Sequence, residues 1–183
     1  MSFPLTHRAM PKKTNLSAKA TREKLPSSTR LFAETPLTER FGFLIRRLHQ
    51  IHVALFIQEA GNIDITTIQF TVLSILYRRG EIDQNELAVQ VGMDRTNISD
   101  VVRRLSERGH VTVRVNPAHG RKRLIGLTGD GIAFLKLVDR CALRAQERTV
   151  AALAEPDRKA FAALLQRLVQ EQNTLGRSPL RLK

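Results

Sequence analysis

A short polar cluster near the middle of the chain combines side chains that can read base pairs in DNA. Positions 95–99 have the sequence Arg-Thr-Asn-Ile-Ser. Arginine pairs bidentately with guanine in the major groove, asparagine pairs with adenine, and the threonine methyl group packs against that of thymine. In a helix-turn-helix, such contacts come from the N-terminal part of the second helix. We therefore predict base contacts from Arg95, Thr96, Asn97 and Ser99.

The sequence around this cluster predicts the helix that would present it. Apolar side chains at helical spacing indicate an amphipathic helix over residues 94–108, with Asp94 as its N-cap and Gly109 at its end. Arg103 lies on the outward face with the polar cluster, where it would contact a DNA phosphate or pair with an acid of the protein itself. The predicted buried stripe consists of Ile98, Val101, Val102 and Leu105.

A second basic cluster lies in a segment with the pattern of a β-hairpin. Valines alternate over residues 111–115, residues 116–120 have turn composition, and residues 124–127 return as a second strand. A small basic tip can enter the minor groove, where narrow A·T-rich segments attract arginine. The alternative is ion pairing with acids on the protein's own surface. The predicted contacts are Arg121 first, then Lys122 and Arg123.

Helices are predicted before the hairpin. Apolar residues at steps of three and four predict a first helix over residues 38–59 that is apolar on two faces. The spacing from Thr66 to Gln69 is that of a capping box and opens a second helix. Asp83 would cap a short third helix, and Gly92 suits the left-handed residue that closes it.

After the hairpin, Thr128 would cap a long helix running to about residue 154, and Pro156 suits the first turn of a last helix. Residues 83–129 therefore hold two short helices, a glycine turn and a basic hairpin in direct succession, which is typical of a winged helix-turn-helix. The terminal helices have more apolar surface than so small a unit can cover. The sequence predicts a mostly α fold with a small β wing, in which this unit joins a helical dimerisation domain.

Composition indicates where the protein is located in the cell and how the chain is divided into segments. The chain has 183 residues and a net charge of +13, which favours a polyanionic partner. Its apolar runs are too short to span a membrane and it begins with no secretory signal, so we expect a cytoplasmic, nucleoid-associated protein. The expected divisions are a basic disordered tail (1–36), a helical dimerisation region (37–62 and 129–175), the winged helix-turn-helix domain (63–128) and a basic C-terminal tail (176–183).

Taken together, these motifs resemble the multiple-antibiotic-resistance regulator (MarR) family. The resemblance covers about residues 38–173 and depends on the run 94–99, on Arg108-Gly109, and on Arg121 six residues before Leu127-Thr128. It implies an obligate homodimer formed by the first helix and the last two. It also implies repression from pseudo-palindromic operators and release by small phenolic or aromatic-acid ligands. His119 stands where the family usually has an acid, and Val113 where it often has arginine.

Two histidines three positions apart could belong to an effector site. His49 and His52 lie on one side of the first helix, and Gln69 and Phe70 begin the helix predicted to face it. These four residues could hold a small aromatic carboxylate, such as a nicotinate-type compound, or a phenol; the alternative places both histidines at an interface or in solvent. A metal would need a third ligand that the sequence does not offer, so no metal and no cofactor is predicted. Cys141, the sole cysteine, lies in an apolar pattern and is expected to be buried.

The leading hypothesis is therefore a ligand-responsive repressor that binds double-stranded DNA as a homodimer. The alternative is a sequence-tolerant architectural or nucleoid protein without an effector, which would use the same basic groups on phosphates. Catalysis is not expected, because the chain has no Ser/His/Asp grouping, no glycine-rich phosphate loop and no paired carboxylates in an apolar setting.

Overall fold

A computed structural model describes residues 35–175. The chain divides into two compact units, Met1–Arg40 and Phe41–Lys183. The described part of the first unit holds a 3-10 turn over Leu37–Glu39. The predicted C-terminal tail, and all but the last two residues of the predicted N-terminal tail, lie outside the described residues.

The second unit is mostly helical and carries one small sheet. Its helices and strands are α1 (Phe41–Ala60), α2 (Thr67–Arg79), β1 (Ile82–Asp83), α3 (Gln84–Val91), α4 (Arg95–Glu107), β2 (Val111–Asn116), β3 (His119–Leu127), α5 (Gly129–Thr149) and α6 (Glu155–Glu171). This order confirms the predicted fold class, a winged helix-turn-helix flanked by longer helices.

The predicted helix starts are formed by side-chain caps. Thr66 and Gln69 make a reciprocal capping box, in which the Thr66 hydroxyl accepts from Gln69 N at 3.2 Å and Gln69 Oε1 accepts from Thr66 N at 2.9 Å. Asp83, Asp94 and Thr128 likewise accept backbone N–H groups at the starts of α3, α4 and α5. Each cap satisfies a backbone donor that the first helical turn leaves unpaired. The element boundaries around the predicted reading helix were thus determined by local sequence.

The three strands form one antiparallel sheet in the order β1-β3-β2. Ile82 of β1 and Val113 of β2 both stand opposite Ile125 of β3, which is fully buried. The short strand β1 therefore ties the start of α3 to the wing. Because β1 leads directly into α3, the sheet fixes the wing beside the helix-turn-helix.

The predicted hairpin turn was too long. The structure turns in two residues, Pro117 and Ala118, and pairs Asn116 with His119, so β3 begins five residues earlier than residue 124. Asn116 Oδ1 accepts from Ala118 N at 2.9 Å, which closes the turn locally. The segment from His119 to Arg123 is consequently strand, and the predicted basic tip at Gly120 and Arg121 lies on the strand rather than at the turn.

The long helix after the wing is also shorter than predicted, since α5 ends at Thr149 and not near residue 154. A turn follows, in which Leu153 N bonds to the Val150 carbonyl at 3.0 Å. Arg158 Nε, from the first turns of α6, donates to the Leu153 carbonyl at 2.8 Å. This turn outweighs the helical propensity of the neighbouring alanines and places Pro156 in the first turn of α6, as predicted.

The core joins the winged unit to α1 and α5. Helix α1 packs along α5, and α2 contacts α5, α3 and the wing. The largest fully buried side chains are Phe56, Leu73, Leu76, Leu87, Ile98, Leu105 and Ile125. Cys141 is buried, as expected. No helix of residues 35–175 is both long and apolar enough to cross a membrane.

Candidate DNA-binding interface

The predicted reading helix is α4, and it presents its polar face outward. Gly92 adopts φ 74° and ψ 31°, the left-handed conformation that ends α3 and allows the turn into α4. Ile98, Val102 and Leu105 are buried, while Val101 is only partly buried. Arg95, Thr96, Asn97, Ser99 and Arg103 are all exposed.

Two of the predicted base-reading side chains already have partners within the protein. Asp94 accepts from Asn97 twice, from the backbone N at 2.9 Å and from Nδ2 at 2.7 Å. The Ser99 hydroxyl donates to the Arg95 carbonyl at 2.8 Å and accepts from Gln84 Nε2 at 2.6 Å. Asn97 is therefore held in one orientation, and Ser99 has little hydrogen-bonding capacity left.

The arginines of α4 have different surroundings. Within the described part of the chain, the Arg95 guanidinium makes no ion pair. Arg103 pairs with Glu107 at 2.8 Å and with Asp100 at 3.8 Å, and its hydrogen bond to Glu107 raises its pKa. Arg108 binds the carboxylate of Asp64 and donates to the Asp64 carbonyl at 2.5 Å. Arg95 and Arg104 are thus the two α4 arginines that make no ion pair among the described residues, and Arg95 lies nearer the N-terminal end of the helix.

The wing contributes cations beside α4. Lys122 and Arg123 are exposed on β3 and line a groove of about 560 Å³ together with residues of α3 and α4. Arg121 lies on the same strand, and its side chain is outside the described part of the structure. The other lining residues are Asp83, Gln84, Asn85, Arg95, Ser99, Val102, Arg103, Ser106, Glu107 and Val113.

One arginine of the hairpin has a structural role that the sequence did not reveal. Arg114 forms a two-point ion pair with Glu81, with Nε to Oε1 at 2.5 Å and a second contact from Nη2 to Oε2. The pair lowers the pKa of Glu81, with the Arg114 hydrogen bond as the largest cause. Arg114 therefore fastens the wing to the segment before α3, and its charge is already compensated.

The four predicted effector residues have separate surroundings in one chain. His49 is exposed, whereas His52 Nδ1 lies 2.9 Å from the Thr149 hydroxyl of α5. Gln69 is buried with its carboxamide in the capping box of α2. Phe70 packs against Phe56 at a ring-centroid distance of 5.8 Å. Gln69 is thus committed to a helix cap, and Phe70 belongs to the edge of the core.

An ion-pair cluster between α1 and α5 was not predicted from the sequence. Glu59 of α1 accepts from Arg144 Nε at 2.6 Å and from Arg148 Nη1 at 2.7 Å, both on α5. These two hydrogen bonds are the leading causes of a lowered pKa at Glu59. The partners are 85 and 89 positions apart in sequence, so no local spacing signals them. Among residues 35–175, no cluster of three His, Cys, Asp or Glu side chains could hold a metal ion.

Comparison with known proteins agrees with this geometry. A family model described as "MarR family" matches residues 63–122. The chain is 33% identical over 153 residues to the HTH-type transcriptional repressor NicR of Pseudomonas putida, covering 82% of this chain and 96% of NicR.

Two solved structures share the fold. One describes regulation of DNA binding of Bordetella bronchiseptica BpsR by 6-hydroxynicotinic acid, with TM-score 0.69, 30% identity, and coverage of 73% of this chain and 96% of that one. Another is the transcriptional repressor CouR bound to a 23-mer DNA duplex, with TM-score 0.69, 25% identity, and coverage of 73% and 94%.

Proposed function

The chain belongs to the MarR family of winged helix-turn-helix transcriptional regulators, and we propose that it is a homodimeric repressor released from its operator by a small aromatic acid or phenol. The observation that carries the proposal is the outward polar face of α4 beside a groove whose wing side holds Lys122 and Arg123. A polar helix face beside exposed cations suits the major groove and its flanking phosphates. The site of action would be the chromosome in the cytoplasm.

We assign the DNA contacts from the chemistry of each side chain and from its exposure. Arg95, Thr96 and Asn97 would contact base edges, because they are exposed at the N-terminal end of α4. Arg103 would exchange its acidic partners for a phosphate, and Lys122 and Arg123 would bind phosphates next to the groove. Arg121 would enter the minor groove from the wing. The predicted contact at Ser99 is taken up under the next heading.

Dimerisation would cover the apolar surface of the terminal helices. In α1, Phe41 is 81% exposed and Ile45 is 62% exposed. Helix α6 has no buried residue, although Leu164, Leu165 and Leu168 lie along it. Covering such a surface by a second copy yields a two-fold axis, and two-fold symmetry places two half-sites about one helical turn apart.

The effector proposal depends on the relatives and on the α1 histidines. The BpsR structure concerns 6-hydroxynicotinic acid, a planar aromatic acid. His49 and His52 would bind an anionic aromatic of this class, and Phe70 would form the apolar wall. Gln69 would act by holding the start of α2 rather than by touching the ligand, because its carboxamide serves the cap.

Selection from random duplex DNA tests the operator claim. We expect the full chain to enrich an inverted repeat with half-sites about ten base pairs apart. A protein of the architectural class would bind tightly through its net charge of +13 yet enrich no motif. If the chain enriches no motif at moderate salt, the repressor proposal is wrong and the architectural function takes its place.

The minor-groove claim is tested by Arg121→Ala. Removing an inserted arginine should weaken operator binding about tenfold, with its main effect at A·T-rich flanking positions, and should leave the oligomeric state unchanged. Fluorescence anisotropy with the selected operator measures the affinity. Lys136→Ala on α5 is the matched control. If Arg121→Ala binds the operator as tightly as wild type, Arg121 does not enter the minor groove.

The effector claim is tested by calorimetry with a panel of aromatic carboxylates and phenols. His49→Ala and His52→Ala should weaken binding of the responsive compound, and that compound should raise the operator dissociation constant of the wild-type protein. His119→Ala, on the wing, is the control. Undiminished binding by both α1 variants would place the ligand elsewhere.

A further inference from the structure

We propose that Gln84, the first residue of α3, reads an adenine in the major groove, and that Ser99 is the positioning residue that holds it for that contact. This inference rests on the proposed function, because it concerns base readout by the same interface. It assigns the reading of one base pair to a residue outside α4. The observation behind it is the hydrogen bond of 2.6 Å from Gln84 Nε2 to Ser99 Oγ.

The hydroxyl of Ser99 is nearly saturated within the protein. A serine hydroxyl has one hydrogen and two lone pairs. Its hydrogen goes to the Arg95 carbonyl at 2.8 Å, and one lone pair accepts from Gln84. Ser99 therefore has no donor left for a base, and its bond to Gln84 fixes the carboxamide of that residue.

Gln84 keeps the groups that adenine requires. A carboxamide offers two N–H donors and an acceptor oxygen, and only one donor is used on Ser99. Within residues 35–175, no other side chain with a described position hydrogen-bonds to the Gln84 oxygen. One N–H and the carbonyl oxygen remain, which is the pair that meets adenine N7 and N6 in the major groove.

Gln84 also lies in the groove where the proposed DNA contacts are. It lines the groove of about 560 Å³ together with Arg95, Lys122 and Arg123, the cations assigned to DNA. The Asp83 cap fixes the backbone at the start of α3, since Asp83 Oδ1 accepts from Asn85 N at 2.8 Å. The carboxamide thus stands on a rigid helix start and is tied at one end to the reading helix.

Selection from random duplexes, run in parallel on wild type and variants, tests the inference. Wild type should show one half-site position with a strong adenine preference that Gln84→Ala loses, by about tenfold to a hundredfold, with the other positions unchanged. Gln84→Glu should shift that position toward cytosine, whose N4 amino group donates to a carboxylate. Ser99→Ala should weaken the same preference only, because it frees the carboxamide. Asn85→Ala, the neighbour on the same groove, should retain it.

The outcomes separate the two proposals. If wild type enriches no motif, the repressor proposal itself fails. If wild type enriches a motif and Gln84→Ala weakens every position equally, Gln84 contacts a phosphate and the base-reading inference is overturned. An unchanged motif in Gln84→Ala, or a Ser99→Ala effect at a different position, also overturns it. Circular dichroism of each variant checks that α3 and α4 are intact.

Discussion

At the scale of single residues, Asp94 shows how one side chain can both cap a helix and orient a neighbouring polar side chain. One carboxylate oxygen caps α4 by accepting from Asn97 N, and the other holds Asn97 Nδ2 at 2.7 Å. The sequence predicted the cap, because an aspartate before an apolar stripe is a local signal. It could not predict that the same group orients an exposed side chain on the surface that we propose faces DNA.

Two substitutions at Asp94 separate these roles. Asp94→Ala should lower the free energy of unfolding by about 1 kcal/mol through loss of the cap, whereas Asp94→Ser retains a capping oxygen and most of that stability. Both should weaken the base preference read by Asn97, since neither holds its amide. Urea unfolding and operator binding measure the two effects, and wild-type base preference in Asp94→Ser would contradict the orienting role.

At the scale of elements, two joints hold the long helix α5, one against α1 and one against the winged unit. The first is the seam with α1, where Arg144 and Arg148 bind Glu59, whose side chain is 16% exposed. The second is at the start of α5, where Gly131 packs on the carbonyl of His110 and the His110 ring stacks on Phe134 at a centroid distance of 4.1 Å. Burial is the main cause of the lowered pKa of His110.

The α1–α5 seam predicts a pH dependence. The pKa of Glu59 is lowered in the folded state from its usual 4.5, so its contribution is present above that pH and is lost as pH falls through the lower folded value. Glu59→Gln should therefore be less stable than wild type at pH 7, and the difference should shrink below pH 4.5. Urea midpoints at equal protein concentration measure this. Glu147→Gln is the control. If the stability difference between wild type and Glu59→Gln does not change with pH, the ion pair is not its cause.

The start of α5 predicts opposite outcomes for two neighbouring glycines. A Cβ at Gly131 would stand 2.0 Å from the His110 carbonyl oxygen, while one at Gly129 would meet nothing within 4 Å. Gly131→Ala should destabilise the fold by about 1–3 kcal/mol or more, because backbone must move on one side of the joint. Gly129→Ala should be near neutral. Thermal unfolding compares them, and equal midpoints would mean that the joint adapts without strain.

At the scale of the whole molecule, the exposed large apolar side chains and the cations assigned to DNA lie on different elements. Exposed leucines lie on α6 and also on α1 and α5, where Leu44 and Leu143 are examples, and further exposed apolar residues continue along α1. The cations assigned to DNA lie on α4 and β3. This separation suits a protein that joins its copies through one surface and binds DNA through another.

Substitution on α6 tests the assembly. Leu164 and Leu168 are four positions apart on one helix face, so replacing both by aspartate should prevent association and leave the winged unit folded. Operator affinity should fall about 10²–10⁴-fold, because each half-site is then bound without the linked second contact. Sedimentation velocity gives the oligomeric state. Gln166→Asp, on the opposite face, is the control, and a double variant that still forms dimers would locate the interface elsewhere.

Local sequence was enough to predict the features that depend on neighbours a few positions apart. Helical spacing located α4 and its buried stripe, and the caps at Thr66, Asp94 and Thr128 were predicted because each bonds within three residues. The alternating valines predicted β2. The hairpin turn was predicted too long, since the structure turns in two residues, Pro117 and Ala118, where composition suggested five.

Contacts between separate elements settled which polar side chains of this surface keep unused hydrogen-bonding groups. Gln84 meets Ser99 across 15 positions, Arg114 meets Glu81 across 33, and Arg108 meets Asp64 across 44. Such pairs form when separate elements pack together, and neither spacing nor composition encodes their distance. Sequence therefore predicted the surface that we propose faces DNA, whereas packing determined which of its groups can still donate or accept a hydrogen bond.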